Sequence, residues 1–151
     1  MTPELLDTLV KVTSKALMEG AFVVTFQVDD EGPLAGSTVD VEVEMLPTAG
    51  IALVLDVSLP GPLAREMAAN TLGETDLGAV TDEDILGTAL ELANVLAGGI
   101  ARDVTRDGAL CRIASPRVCA QQSGPGHLAI TLVADTGARV RVGVRPLTGA
   151  A

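Results

Sequence analysis

Glu91 and Asn94 stand three residues apart in a stretch that is otherwise apolar, within a pattern that predicts a long helix from about Thr81 to Thr105. An advance of about 100° per residue places Ile85, Leu86, Ala89, Leu92, Ala93, Leu96, Ile100 and Val104 on one broad buried face. The opposite face carries Asp84, Gly87, Thr88, Glu91, Asn94, Gly98 and Arg102. Glu91 and Asn94 are neighbours on that surface, with Gly87 four before the Glu and Gly98 four after the Asn. A carboxylate supplies charge and accepts hydrogen bonds, whereas a carboxamide both donates and accepts. Such a pair binds and orients. Each mid-helix glycine costs on the order of 1 kcal/mol relative to alanine, so two of them flanking the pair imply that something approaches the helix closely. Two readings stand at this point. Either another element of the same chain packs there and Glu91 is merely solvated, or the face is a site.

No other cluster competes with it. Cys111 and Cys119 are eight apart without CxxC spacing, and His127 is the only histidine, which argues against zinc and leaves both cysteines as small packing residues in strands. His127 has no serine or cysteine beside it that would form a nucleophilic triad, and it falls in a loop or at a strand edge. Asp29, Asp30 and Glu31 lack the ligand and glycine spacing of a calcium loop and read as a solvated turn. Asp82, Glu83 and Asp84 favour the dipole of a first helical turn. Arg139, Arg141 and Arg145 alternate along the last strand as its solvated face.

The elements that must hold the helix follow from the same periodicities. Thr2-Pro3-Glu4 starts a helix that Gly20 ends near residue 18, and residues 21–28 form a strand. Residues 38–46 alternate, with Val39, Val41, Val43 and Met45 facing one way and Asp40, Glu42 and Glu44 the other. Residues 51–57 are nearly continuous in apolar character and form a central strand that leads through Pro60-Gly61-Pro62 into a short helix closed by Gly73. After the long helix and an Asp107-Gly108 stop come strands at 109–119, 127–134 and 138–146, the last two joined by an Asp135-Thr136-Gly137 turn. Grouped strands rather than strict alternation predict an α+β domain over residues 1–151: about six mostly antiparallel strands, with the long helix and two others on one face.

Composition narrows the function. Ten Lys plus Arg against twenty Asp plus Glu give a net charge of −10, which excludes binding to nucleic acid or to an anionic membrane by charge neutralisation. Phe22 and Phe26 are the only aromatic residues, too few for base stacking, so the core is aliphatic. Mean hydropathy is positive, yet no apolar run approaches the roughly 20 residues of a membrane span. The opening Met-Thr-Pro-Glu shows no basic stretch or apolar signal core, so a cytoplasmic chain is expected.

The run Glu91-Leu92-Ala93-Asn94-Val95-Leu96-Ala97-Gly98 resembles the ExxN motif helix of the CheC/CheX/FliY phosphatases of bacterial chemotaxis. Pro116 lies within about a residue of the spacing at which that family places its proline, and the MAANTLG segment at 67–73 is similar to the family's short helix ending in Leu-Gly. The likeness follows the family's element order over most of the chain, and a single ExxN pair makes it CheX-like. The resemblance implies hydrolysis of the aspartyl phosphate on a CheY-type response regulator. By carry-over Asn94 orients the attacking water, Glu91 meets the regulator's active-site lysine, and Gly87, Thr88, Gly98, Arg102 and Pro116 touch the partner. No cofactor is bound by this chain, since Mg²⁺ belongs to the receiver domain, and a homodimer is expected. Two positions depart from the family: Gly87 stands where Asp or Ser is usual, and Gly99 where Asn is usual. The first departure keeps open a non-catalytic adaptor that docks a receiver through the same helix. A flagellar-switch-like subunit is the third reading, without an appended switch peptide in these residues.

Overall fold

The computed structural model describes residues 3–21, 23, 25–28, 34–104, 110–121 and 126–147. The Thr2 cap, the Asp29-Asp30-Glu31 turn and the Asp107-Gly108 stop lie outside them. The chain begins with α1 (Pro3–Ala21), followed by β1 (Thr25–Val28), β2 (Thr38–Pro47) and β3 (Leu53–Pro60). Next come α2 (Gly61–Leu72), a 3-10 turn at Leu77–Ala79 and α3 (Asp82–Val104). Four strands complete it: β4 (Cys111–Ile113), β5 (Arg117–Val118), β6 (Leu128–Ala134) and β7 (Arg139–Pro146).

All strands join one antiparallel sheet of seven, ordered β1-β6-β7-β3-β2-β4, with β5 also on β2. The expected α+β class holds, with seven strands in place of six. The extra strand arises at Pro116: residues 109–119 break into β4 and β5 because proline has no N–H for the ladder. Both pieces pair with β2, and their register slips by one, since Met45 faces Ile113 while Val41 faces Val118. That slip is the signature of a bulge. Cys111 lies in β4, but Cys119 falls just beyond β5 rather than inside a strand.

Other boundaries differ from the expected ones for local reasons. Helix α1 continues through Gly20 to Ala21, and the Val23 amide reaches back to the Leu17 carbonyl at 3.0 Å, a closure that glycine at position 20 did not have to supply. In α2 the expected stop is met: Gly73 adopts φ +68°, and the Glu74 amide bonds to the Ala69 carbonyl at 2.9 Å. The 134–138 turn also forms, with Gly137 at φ +87°.

The helices cover one face of the sheet. Val41, Val43, Met45, Leu55, Val57, Leu59, Ile130, Leu132, Val140, Val142 and Val144 meet Leu9, Leu17, Met67, Ala89, Ala93, Leu96 and Ile100 in one aliphatic cluster. By length and hydropathy Asp82–Asp103 passes for a membrane span, contrary to the expectation that no such run exists. Its apolar face packs on the sheet and the other helices, which accounts for that hydropathy as a core helix's.

Candidate functional site

Helix α3 is fixed at its start by a reciprocal cap. The Asp84 amide donates to Thr81 Oγ1 at 3.1 Å, and the Thr81 amide donates to Asp84 Oδ2 at 3.0 Å. Those bonds hold the Asp84 carboxyl below its usual pKa, Thr81's backbone amide contributing most. Ala89, Ala93, Leu96 and Ile100 are fully buried beneath the helix. The helix is therefore clamped from below while part of its upper face is exposed.

On that upper face Gly87, Glu91, Asn94 and Arg102 are exposed, whereas Thr88 and Gly98 are half-buried. Among the described residues neither Glu91 nor Asn94 makes a side-chain hydrogen bond or ion pair with the chain, so both heads are available. Arg102 is about 12 Å along the axis from Asn94. Pro116 is half-buried at the β4–β5 break, in the segment that follows Ile113. A Cβ at Gly98 would touch Ile113 Cδ1 at an ordinary 4.0 Å.

The glycines sort the two readings left open by the sequence. Among the described residues a Cβ added at Gly87 would meet nothing within 4 Å, so no described element requires its smallness. At Gly99 a Cβ would lie 2.7 Å from Val12 Cγ1, so this glycine exists to let α1 cross α3. The departure at Gly99 is thus a packing feature, while the Gly87 position faces open space beside Glu91.

A second polar cluster is not evident from the sequence. On the sheet face away from the helices, His127 Nε2 lies 2.8 Å from Asp56 Oδ2, with both side chains almost fully buried. Arg141 Nη2 is 3.5 Å from His127 Nδ1, and a Cβ on Gly143 would collide with the same imidazole. Beside this pair, Arg117 Nε and Arg145 Nη2 each donate to Glu42 at 2.9 Å, and Arg117 Nη2 donates to Glu44 at 3.0 Å. Arg141 is only 3% exposed. The alternating arginines are therefore not a solvated face: Arg145 joins the buried carboxylate of Glu42, Arg141 is buried beside His127, and Arg139 alone is exposed. Desolvation raises the Asp56 pKa, opposed by His127, Arg141 and Arg145. Burial and neighbouring carboxylates push the Cys119 thiol to about 12, which removes it as a nucleophile. A glycine inside a strand is the available signal, since it marks a close approach. Among the described residues no group of three or more His, Cys, Asp or Glu is placed to hold a metal.

No family model matches the sequence, and no curated protein matches it either. Solved structures do. The fold is that of the CheX, CheC-like and FliY chemotaxis proteins. Within that class the chain superposes on CheX of Vibrio vulnificus with a TM-score of 0.76 at 16% identity, covering 95% of this chain and 99% of that one. CheX of Desulfovibrio desulfuricans gives 0.75 at 16% identity, with the same coverage. CheX of Borrelia burgdorferi, solved as a CheX-CheY-BeF3-Mg²⁺ complex, gives 0.71 at 16% identity over 94% of this chain and 97% of that one.

Proposed function

We propose that the chain hydrolyses the aspartyl phosphate of a CheY-type response regulator and so ends a chemotaxis or two-component signal. The observation that carries this reading is the free, exposed Glu91/Asn94 pair on the rigid α3 of a CheX-like fold. The solved complex of Borrelia CheX with CheY, BeF3 and Mg²⁺ supports a receiver domain as the partner. An acyl phosphate is already reactive, so orienting one water in line with the breaking P–O bond supplies much of the acceleration. Asn94 does this by donating one hydrogen bond and accepting another, while Glu91 meets the receiver's lysine. Mg²⁺ and the phosphorylated Asp come from the partner, and Gly87, Thr88, Gly98, Arg102 and Pro116 surround the docking face. On this reading the protein works in the cytoplasm, where its substrate is made.

The test is phosphate release from each phosphorylated receiver of the source organism, with and without the protein, beside Asn94→Ala. Faster decay that the variant loses supports the enzyme, and negligible hydrolysis of a generic phosphomonoester is expected. Equal rates for wild type and Asn94→Ala sink it. Gly87 favours a second reading, because it removes a side chain beside Glu91: if the protein binds the receiver without speeding decay, it is an adaptor. A homodimer through a sheet edge accompanies either reading. Strand β1 ends the sheet and exposes Phe26 to 66%, an edge that pairing would cover. A concentration-independent single-subunit mass by light scattering counts against it.

A further inference from the structure

Beside the motif, the C-terminal part of α1, the C-terminal part of α2 and the middle of α3 enclose an open groove of about 270 Å³. Its walls are Ala16, Met67, Leu92 and Val95, and Gly20 leaves one side open, with nothing within 4 Å of an added Cβ. Thr71 and Thr88 also line it, and the Thr71 hydroxyl donates to the Met67 carbonyl at 2.9 Å and is spent on its own helix. Val95 is 49% exposed, a β-branched apolar residue in mid-helix where an exposed position favours a polar one. Glu91, one turn before Val95, lines the same groove.

We propose that this groove is the receiver-recognition pocket: it takes one large aliphatic side chain from the receiver's surface, seated against Met67, Leu92 and Val95, next to the cation that Glu91 meets. The inference rests on the phosphatase reading and adds a residue set that decides which receiver docks. Three observations select the occupant. The Glu91 carboxylate, within a chain of net charge −10, repels an anionic group. The apolar walls offer a charged side chain no counter-charge besides Glu91, which faces the receiver's lysine. Continuity supplies the third: an ordinary interface takes roughly 800 Å² from each partner, a patch about 16 Å in radius, so a receiver centred on Asn94 necessarily covers Val95 one residue away. Apolar anchors of this kind carry affinity, while the polar pair carries the chemistry.

The test measures binding of each CheY-type receiver of the source organism, loaded with Mg²⁺ and beryllofluoride, by Val95→Lys, Val95→Leu, Gly20→Phe and Met18→Lys. Gly20→Phe fills the groove from its open side. Met18 is exposed on α1 without lining the groove and serves as the control. Thermal melts confirm that each variant is folded. Val95→Lys and Gly20→Phe are expected to raise Kd at least tenfold, with Val95→Leu and Met18→Lys within twofold of wild type. Unchanged Kd for both groove variants, in a protein that still binds and dephosphorylates the receiver, overturns the pocket and leaves the phosphatase reading intact. Failure of the wild type to bind any loaded receiver overturns that reading and the pocket with it. If Val95→Lys instead converts a dimer to a monomer without altering receiver binding, the groove belongs to a second copy and the proposal is wrong.

Discussion

The outward face of α3 and the outward face of the sheet are both polar, yet they handle polarity in opposite ways. On α3, Glu91 and Asn94 are exposed and make no side-chain bond among the described residues. On the sheet, Asp56, Glu42 and Arg141 are buried and engaged with other charged or polar side chains. A buried charge is kept only when its partners are in place, so the sheet cluster is structural and intolerant of change. An exposed unbonded pair contributes almost nothing to stability and is free to meet something else. The contrast separates what holds this protein together from what it offers a partner.

The largest effect should come from the sheet. Asp56→Ala removes the acceptor of His127 and a counter-charge of Arg141 and Arg145, and is expected to cost about 3 kcal/mol in chemical denaturation. If it costs less than about 0.5 kcal/mol, the sheet cluster is as dispensable as the helix face and the contrast fails. The pH dependence sharpens the point. Burial raises Asp56 above its ordinary 3.8, so the folded state holds this proton more tightly than the unfolded state does. Its contribution to stability is present below 3.8 and is lost as pH rises through the raised folded value. Asp56→Asn should lack that slope, and the difference between the two denaturation series reads it directly.

Two glycines of α3 give the next effects, in opposite directions. At Gly99 an alanine methyl must displace Val12, and Gly99→Ala is expected to destabilise by roughly 1–3 kcal/mol as α1 is pushed off α3. At Gly87 there is open space, so Gly87→Ala should stabilise by about 1 kcal/mol through helix propensity alone. Thermal or urea unfolding of the two variants side by side tests whether α3 is clamped on one side and bare on the other.

The same division explains what is legible in the sequence. The buried and exposed faces of α3, the alternation of β2 and the turn at Gly137 are local: period, propensity and turn chemistry specify them within a few residues. The sheet cluster is not local. Asp56 sits in the apolar run of a strand whose residues are buried on either face of the sheet, and its partner His127 is 71 residues away, so no window along the chain contains both. Arg141 and Arg145 show strict alternation, which reads as solvation unless the opposing carboxylates of β2 and β3 are known. Pro116 is conspicuous in the sequence, but its power to split one strand into two depends on β2 continuing alongside. The Glu91/Asn94 pair is legible for the opposite reason, since polar residues without a side-chain bond among the described residues stand out against a helix that needs only its apolar face.

The smallest effect on stability should accompany the largest effect on activity. Asn94 is exposed, and its side chain makes no bond among the described residues, above a helix whose underside is fully packed, so Asn94→Ala is expected to change unfolding free energy by about 0.5 kcal/mol or less. Water positioning matters chiefly in the transition state, so the same variant should lower the maximal rate of receiver dephosphorylation far more than it raises KM. Glu91→Lys should leave stability equally untouched but, on the proposed docking, weaken receiver binding by setting an ammonium against the receiver's lysine. Measured together, the two variants separate rate from affinity on adjacent side chains of one helix face. Loss of several kcal/mol in Asn94→Ala would make Asn94 a structural group like Asp56, and the distinction between the two faces would collapse at the residue on which the proposed function depends.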